Sequence, residues 1–208
     1  MNKARQIGTG LAPLHAGGPS GGGQSSVHSG AGGVPPVPCF LAGTRILTRS
    51  GEVFVEDLRE NDRVLTRDNG FQSVKWVGES LFCREILRGS SHLQPILIKA
   101  GALGDGVPAT DLFVSREHQM LLTRRSGLLE TDADEALISA KSLLSVAGVC
   151  SAPRTHVRFV HLLFEGHEIV LADGAWSESY RPFWSPDGVL KPARQIVGPE
   201  ALYSPRAR

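Results

Sequence analysis

Apolar and polar residues alternate, or form short apolar runs, along most of the chain after residue 39. A period of two is typical of β-strands. It predicts strands over residues 44–48, 53–55, 64–66, 95–99, 112–114, 157–164 and 168–172. Asp68-Asn-Gly70 is typical of a tight hairpin turn, and residues 72–77 are its predicted second strand. Helical spacing is confined to one turn over residues 55–58 and to a short helix over 134–144. The pattern therefore predicts a compact all-β fold.

The two ends of the chain lack this pattern. Residues 1–38 contain ten of the 24 glycines and no Asp or Glu, so they offer little apolar area to offset the entropy of ordering. Five prolines interrupt residues 181–208. We therefore expect three parts: a flexible Gly- and Pro-rich leader over 1–38, one domain over 39–180, and a loosely ordered Pro-rich tail over 181–208.

Charge and hydropathy exclude several classes of protein. Lys and Arg number 22 against 21 Asp and Glu, and a net charge of +1 argues against a nucleic-acid partner. No apolar run reaches 18 residues, so we expect no membrane span. The first residues lack the apolar core of a secretion signal. We expect synthesis in the cytoplasm, with export by a non-Sec route left open, and the compartment itself stays unknown.

Cys39 stands where the Pro-rich leader meets the first predicted strand. A thiol at this position can attack the carbonyl of the preceding residue, Pro38, because the reaction is intramolecular and the effective concentration of the thiol is high. The product of this N-to-S acyl shift is a thioester with a free α-amine on Cys39. For a cysteine considered alone, simple packing as a buried thiol is the more common role.

Three blocks of sequence resemble the Hint (Hedgehog/intein) domain family. The first runs from Cys39 through the Gly43-Thr44 pair to Asp62-x-Val-Leu, and it is similar to the opening block of the family. The second, Ser115-x-x-His118, looks like the Thr-x-x-His motif with serine in place of threonine. The third, from residue 159 to Ser179, resembles the closing region of short bacterial members.

This resemblance implies a disc-like, horseshoe-shaped Hint fold with two halves related by a pseudo-twofold axis. It also implies the catalytic residues: Cys39 as the nucleophile, His118 as the acid and base, and Ser115 as an auxiliary hydrogen-bond donor. His167 is the counterpart of a histidine in the closing block, and a structural role for it is equally open.

The function expected from the resemblance is self-processing by a single-turnover cysteine autoprotease. Its substrate is its own leader, cut at Pro38–Cys39, and water is the default acceptor of the thioester. Splicing is not expected, because Glu178 and Ser179 stand where a splicing domain carries the terminal Asn that cyclises. One alternative is a catalytically silent β-scaffold for export or partner binding. Another is a Cys–His hydrolase that acts on other proteins.

We expect neither a cofactor nor a metal. Cys150, His156, His161 and His167 are the candidates for a zinc site. However, His156 and His161 are an odd number of residues apart, so on one strand they point to opposite faces, and the spacing matches no usual pair of zinc ligands.

Overall fold

A computed structural model of the protein describes residues 38–129 and 133–180, together with the backbone of residues 183–184 and 190–191. Its strands are β1 (Phe40–Leu41), β2 (Arg45–Thr48), β3 (Gly51–Phe54), β4 (Arg63–Thr66), β5 (Gly70–Ser73), β6 (Trp76–Phe82), β7 (Ile96–Ile98), β8 (Leu112–Val114), β9 (Gln119–Thr123), β10 (Glu135–Ser139), β11 (Val149–Ser151), β12 (Val157–Leu163), β13 (Ile169–Ala172), β14 (Ala175–Glu178), β15 (Phe183–Trp184) and β16 (Leu190–Lys191). The one α-helix of the described part, α1 (Arg84–Arg88), is short, and single 3₁₀ turns cover Val55–Asp57, Ser91–Leu93, Arg124–Ser126 and Ala140–Leu143.

Fourteen of the described strands form two large antiparallel sheets, and β15 pairs separately with β16. The six-stranded sheet has the order β11-β7-β8-β1-β12-β6. The eight-stranded sheet has the order β10-β9-β14-β13-β2-β4-β5, and β3 pairs with β2 beside this path. The all-β prediction is therefore confirmed.

One hydrophobic core joins the two sheets. It contains residues of the six-stranded sheet such as Phe40 and Val160, and residues of the eight-stranded sheet such as Ile46 and Val170. All four are at most 2% exposed. Because alternate residues of a strand face opposite sides, each strand needs only a few apolar residues to cover the inner face of its sheet.

Most of the predicted strands occur within one or two residues of their expected bounds, but two predictions fail. Residues 135–139 form the strand β10, paired with β9 from Glu135↔Thr123 to Ser139↔Gln119, and only residues 140–143 make a 3₁₀ turn. The predicted helix over 134–144 is therefore wrong, because pairing along a neighbouring strand outweighs the intrinsic helix propensity of this stretch.

The second failure is the strand predicted over 72–77. The hairpin turn is confirmed, since β4 and β5 pair up to Thr66↔Gly70, and Gly70 has the left-handed φ of +64° that a glycine adopts readily. However, β5 ends at Ser73, and Trp76 begins β6 in the other sheet. Val74, which is fully buried, lies between the two strands.

The predicted leader and tail lie outside the described residues, apart from Pro38 and the backbone of β15 and β16. Both stay predictions. Within the described part, no helix has the length and apolar character needed to cross a membrane.

Candidate active site

The short strand β1 places Cys39 between two other strands. Phe40 pairs with Val160 of β12 on one side and with Val114 of β8 on the other. The preceding residue, Cys39, is therefore held between the end of β8 and the middle of β12. Its side chain packs against Phe159 and is only 4% exposed.

Ser115 and His118, which both follow β8 in the chain, form hydrogen bonds with the backbone of Cys39. The amide N–H of Cys39 donates a hydrogen bond to Ser115 Oγ over 3.1 Å. The carbonyl oxygen of Cys39 accepts hydrogen bonds from the backbone N–H of Ser115 over 3.0 Å and from His118 Nδ1 over 3.1 Å. The structure thus brings together Cys39, Ser115 and His118, the three residues that the two motifs indicate.

The ring of His118 is completely buried. It lies 4.5 Å from the ring of Phe40, edge to face, and its Nε2 has no hydrogen-bond partner among the described residues. Burial lowers the pKa of His118 to about 3, against a smaller opposite effect of the bond to Cys39. Because a carbonyl oxygen can only accept, the hydrogen of this neutral ring is on Nδ1.

His161 of β12 is a fourth residue at the site, and it faces the reacting atoms. Its Nε2 is 3.8 Å from Cys39 Sγ, and its Nδ1 is 3.4 Å from the carbonyl oxygen of Pro38. Ser80 Oγ of the neighbouring strand β6 is 3.2 Å from Nε2. Burial lowers the pKa of His161 below its ordinary value, and the bond to Pro38 acts weakly in the opposite direction.

Reasoning from the sequence considered His161 only as a zinc ligand and missed this position. A signal was available in the chain. His161 interrupts a buried apolar run on β12, where Phe159, Val160 and Leu162 are all at most 2% exposed. A histidine in such a run, on the same face of the strand as Phe159, points toward the buried cluster that contains both Phe159 and Cys39.

An aromatic pair lies beside His161. The ring of Tyr180 is 5.7 Å from the ring of His161 and 6.0 Å from that of Trp76. A hydrogen bond from Tyr180 N–H to Leu162 O, 2.8 Å long, holds this residue along β12. The indole of Trp76 occupies the space over Gly78, where a Cβ atom would be 1.8 Å from it.

The thiol of Cys39 is protonated in this environment. Burial raises its pKa far above the ordinary range, and a hydrogen bond with Ser115 lowers it by a smaller amount. A thiol is a weak nucleophile until its proton is removed, so any attack by Cys39 needs a base in contact with Sγ.

His167 is not part of this group. Its Nε2 lies 3.3 Å from Glu178 Oε2, and it contacts that carboxylate rather than Cys39. Nearby, the hydroxyl of Ser179 accepts a hydrogen bond of 3.0 Å from the backbone N–H of Glu168. In the described part of the chain, no three side chains of the metal-binding kinds are grouped as they would be around an ion.

Residues 38–183 match the family model of the Hint domain. The chain therefore belongs to the Hint domain family, and this membership supports self-processing as its general kind of activity.

Solved structures with a similar fold are inteins and an intein-like domain. The gp41-1 intein is 15% identical, with 67% of this chain and 97% of that chain covered and a TM-score of 0.41. The bacterial intein-like domain from Clostridium thermocellum is 14% identical, over 68% and 97% of the two chains, with a TM-score of 0.40. The DnaB intein from Synechocystis sp. PCC 6803 is 11% identical, over 68% and 98%, with a TM-score of 0.42. No curated protein matches the sequence.

Proposed function

We propose that this domain cleaves its own chain between Pro38 and Cys39, once per molecule, by an N-to-S acyl shift. The observation that carries the proposal is the set of contacts around this one peptide bond. The amide nitrogen, the thiol and the carbonyl oxygen of Cys39, and the carbonyl oxygen of Pro38, each have a side chain of the domain within hydrogen-bonding reach. Positioning of this kind lowers the barrier to an intramolecular attack.

The reaction makes one bond and breaks one. Cys39 Sγ attacks the carbonyl carbon of Pro38, the carbonyl oxygen becomes an oxyanion, and its return to a double bond expels the nitrogen of Cys39. Ser115 supports this step, because its hydroxyl fixes the direction of the N–H bond as the nitrogen becomes tetrahedral. His118 fixes the other end of the residue through the carbonyl oxygen of Cys39.

The thioester releases the upstream segment when a second nucleophile attacks it. Water is the default acceptor, and an added thiol or hydroxylamine replaces it in the test tube. The product then begins with Cys39 and has a free α-amine. The substrate is therefore the protein's own upstream segment.

We also propose that the reaction ends with cleavage and does not continue to splicing. Release of a downstream segment in splicing needs an Asn side chain that cyclises onto its own carbonyl. In this chain Glu178 and Ser179 occupy the corresponding region, and Ser179 has no amide group to cyclise.

The test is the release of residues 1–38 from the purified chain, whose intact mass is 22.3 kDa. Incubation with dithiothreitol or hydroxylamine is expected to shorten the chain at Cys39, and 2-cyanobenzothiazole, which condenses with an N-terminal cysteine, is expected to label the product. Cys39→Ala should abolish release and labelling. The matched controls Cys83→Ala and Cys150→Ala remove exposed thiols and should behave as the unaltered protein does.

One observation favours a second candidate, the catalytically silent β-scaffold. The thiol of Cys39 is buried and its pKa is raised, which in other proteins accompanies cysteines that only pack. If neither nucleophile releases the upstream segment at any pH at which the domain is folded, the scaffold replaces the autoprotease.

A further inference from the structure

We propose that His161 is the catalytic acid and base of the acyl shift, acting on the thiol through Nε2 and on the scissile carbonyl through Nδ1. This inference rests on the proposed cleavage at Pro38–Cys39 and assigns the group that performs its proton transfers. Among the residues that the structure describes, no other imidazole contacts both the thiol of Cys39 and the carbonyl oxygen of Pro38.

The contacts of His161 determine where its hydrogen lies. The carbonyl oxygen of Pro38 is only an acceptor, so the ring nitrogen beside it, Nδ1, carries the hydrogen. Nε2 of the neutral ring then has a lone pair, and this nitrogen is the one that faces Cys39 Sγ over 3.8 Å. The resting ring is therefore already in the form that accepts the thiol proton.

His118 does not meet the same requirements. Its Nδ1 hydrogen is directed at the carbonyl oxygen of Cys39, which belongs to the peptide bond after the residue and not to the bond that breaks. Its other nitrogen, Nε2, is buried without a partner in the described part of the chain. The geometry thus makes His118 a positioning residue.

In the proposed step one proton moves from the thiol of Cys39 to His161 and from there to the nitrogen of Cys39. Cys39 Sγ–H gives its proton to His161 Nε2 as sulfur bonds to the carbonyl carbon of Pro38, and Nδ1–H stabilises the oxyanion that forms. When the carbon–nitrogen bond breaks, the imidazolium returns the proton from Nε2 to the departing nitrogen of Cys39. The net change is one proton moved from sulfur to nitrogen, with no oxidant or other reactant consumed.

The surroundings of His161 favour the neutral ring at rest. The titratable groups near it are the thiol of Cys39 just before β1, the ring of His118 in the turn before β9 and the phenol of Tyr180 beside β12. Ser80 on β6 is uncharged. No carboxylate faces the ring among the described residues that contact it. The rate is therefore expected to fall in acid as His161 is protonated, with a midpoint below the ordinary value of about 6.5.

The experiment compares two substitutions of His161 with one of an exposed histidine. His161→Asn keeps an N–H near the position of Nδ1 but has no nitrogen that takes up a proton, and His161→Gln places an amide near the position of Nε2. His156→Asn is the control, because its side chain is exposed and contacts Thr155. Cleavage is measured across pH at a dithiothreitol concentration beyond which the rate no longer rises, so that capture of the thioester is not limiting.

Both His161 variants are expected to cleave about 10²- to 10⁴-fold more slowly than the unaltered protein, and to lose the acid limb of the pH profile. His156→Asn should match the unaltered protein. If the unaltered protein cleaves and the His161 variants stay within a few-fold of it, the assignment of His161 is wrong while the acyl shift at Cys39 stands. If the unaltered protein itself does not cleave, the proposed function fails and the assignment of His161 fails with it.

A second measurement decides the matter if the His161 variants do not fold. The pH profile of the unaltered protein then distinguishes an imidazole base from removal of the thiol proton by hydroxide. An acid limb with a midpoint below about 6.5 and a plateau above it supports a neutral imidazole as the base. A rate that rises tenfold per pH unit through the whole range of folding shows that hydroxide removes the thiol proton, and it overturns the proposal.

Discussion

His118 couples the stability of the domain to pH. Burial lowers its pKa in the folded protein to about 3, whereas in the unfolded chain the ordinary value of about 6.5 applies. The unfolded chain therefore binds an additional proton between these two values. The contribution of the neutral ring to the free energy of unfolding is fully present above about pH 6.5 and is lost as the pH falls toward about 3.

We expect the free energy of unfolding to decrease on acidification below about pH 6.5, by at most about 1.4 kcal/mol per pH unit for this group. His118→Asn keeps an N–H for the carbonyl oxygen of Cys39 but does not titrate. It should therefore reduce the slope of the free energy of unfolding against pH. Urea denaturation between pH 4 and 7, in a Cys39→Ala background that cannot cleave, measures it. Equal slopes with and without His118 would contradict the prediction, and His156→Asn is the control with an exposed ring.

The resemblance to the Thr-x-x-His motif was sufficient to select Ser115 and His118, and the structure shows that they share a local turn in which His118 N–H bonds to Ser115 O. The resemblance was not sufficient for His161, which is 122 residues from Cys39. The apolar residues around His161 indicate that it is buried, but its place beside Cys39 depends on which strand pairs with β1, and no local pattern determines that pairing. His167 was the nearer choice by motif, but its contact is with Glu178.

At the scale of elements, Gly78 of β6 affects the site because it has no Cβ atom. Gly78 pairs with His161 across the two strands, and the indole of Trp76 covers the space that a larger residue would need. Trp76 in turn contacts Tyr180, and Tyr180 contacts His161. Gly78 therefore allows an aromatic cover to lie close to the proposed base.

Gly78→Ala should disturb this cover, because the new Cβ would lie 1.8 Å from the indole of Trp76. Overpacking of a buried core typically costs about 1–3 kcal/mol of unfolding free energy, and the cost here should lie near the lower end of this range, because Trp76 is 41% exposed and the clash is with the far end of its side chain. Gly166→Ala is the matched control, since its Cβ would have no atom within 4 Å, and its effect should be within about 0.5 kcal/mol. Urea denaturation of both variants tests this, and equal stabilities would show that Trp76 moves aside at no cost.

The elements that local patterns predicted best are short apolar runs bounded by polar residues. The strand over 112–114 was predicted with its observed bounds, and β2 and β4 with bounds that differ by one residue. The stretch that became β10 contains Ala136 and Leu137, residues common in helices, and its strand form is imposed by five paired residues of β9. Its structure is therefore decided by tertiary contacts.

At the scale of the whole molecule, the residues at the two ends of the described domain, Pro38 and Tyr180, lie beside the same strand. Pro38 lies against His161 of β12, and Tyr180 is bonded to Leu162 of β12. Residues 38 and 180 therefore both lie near the proposed active site.

We expect a chain with a tag at each end to lose only the upstream tag. Mass spectrometry after incubation with dithiothreitol should detect the released upstream segment and a domain still joined to the downstream tag. The control is Cys39→Ala, which should keep both tags. A product in which the two tags are joined to each other would contradict the absence of splicing.

Because β1 pairs with β8 and β12, the proposed site is complete only after β12 has been translated. The bond between Pro38 and Cys39 leaves the ribosome before the strand that carries His161 has been made, and 122 residues separate the two. At about 5–20 residues per second, translation of this interval takes about 6–25 s. If His161 is the base, the leader remains attached to the nascent chain until this strand has been made. Cleavage would thus report that the ribosome has completed the domain, and a prematurely terminated chain would keep its leader.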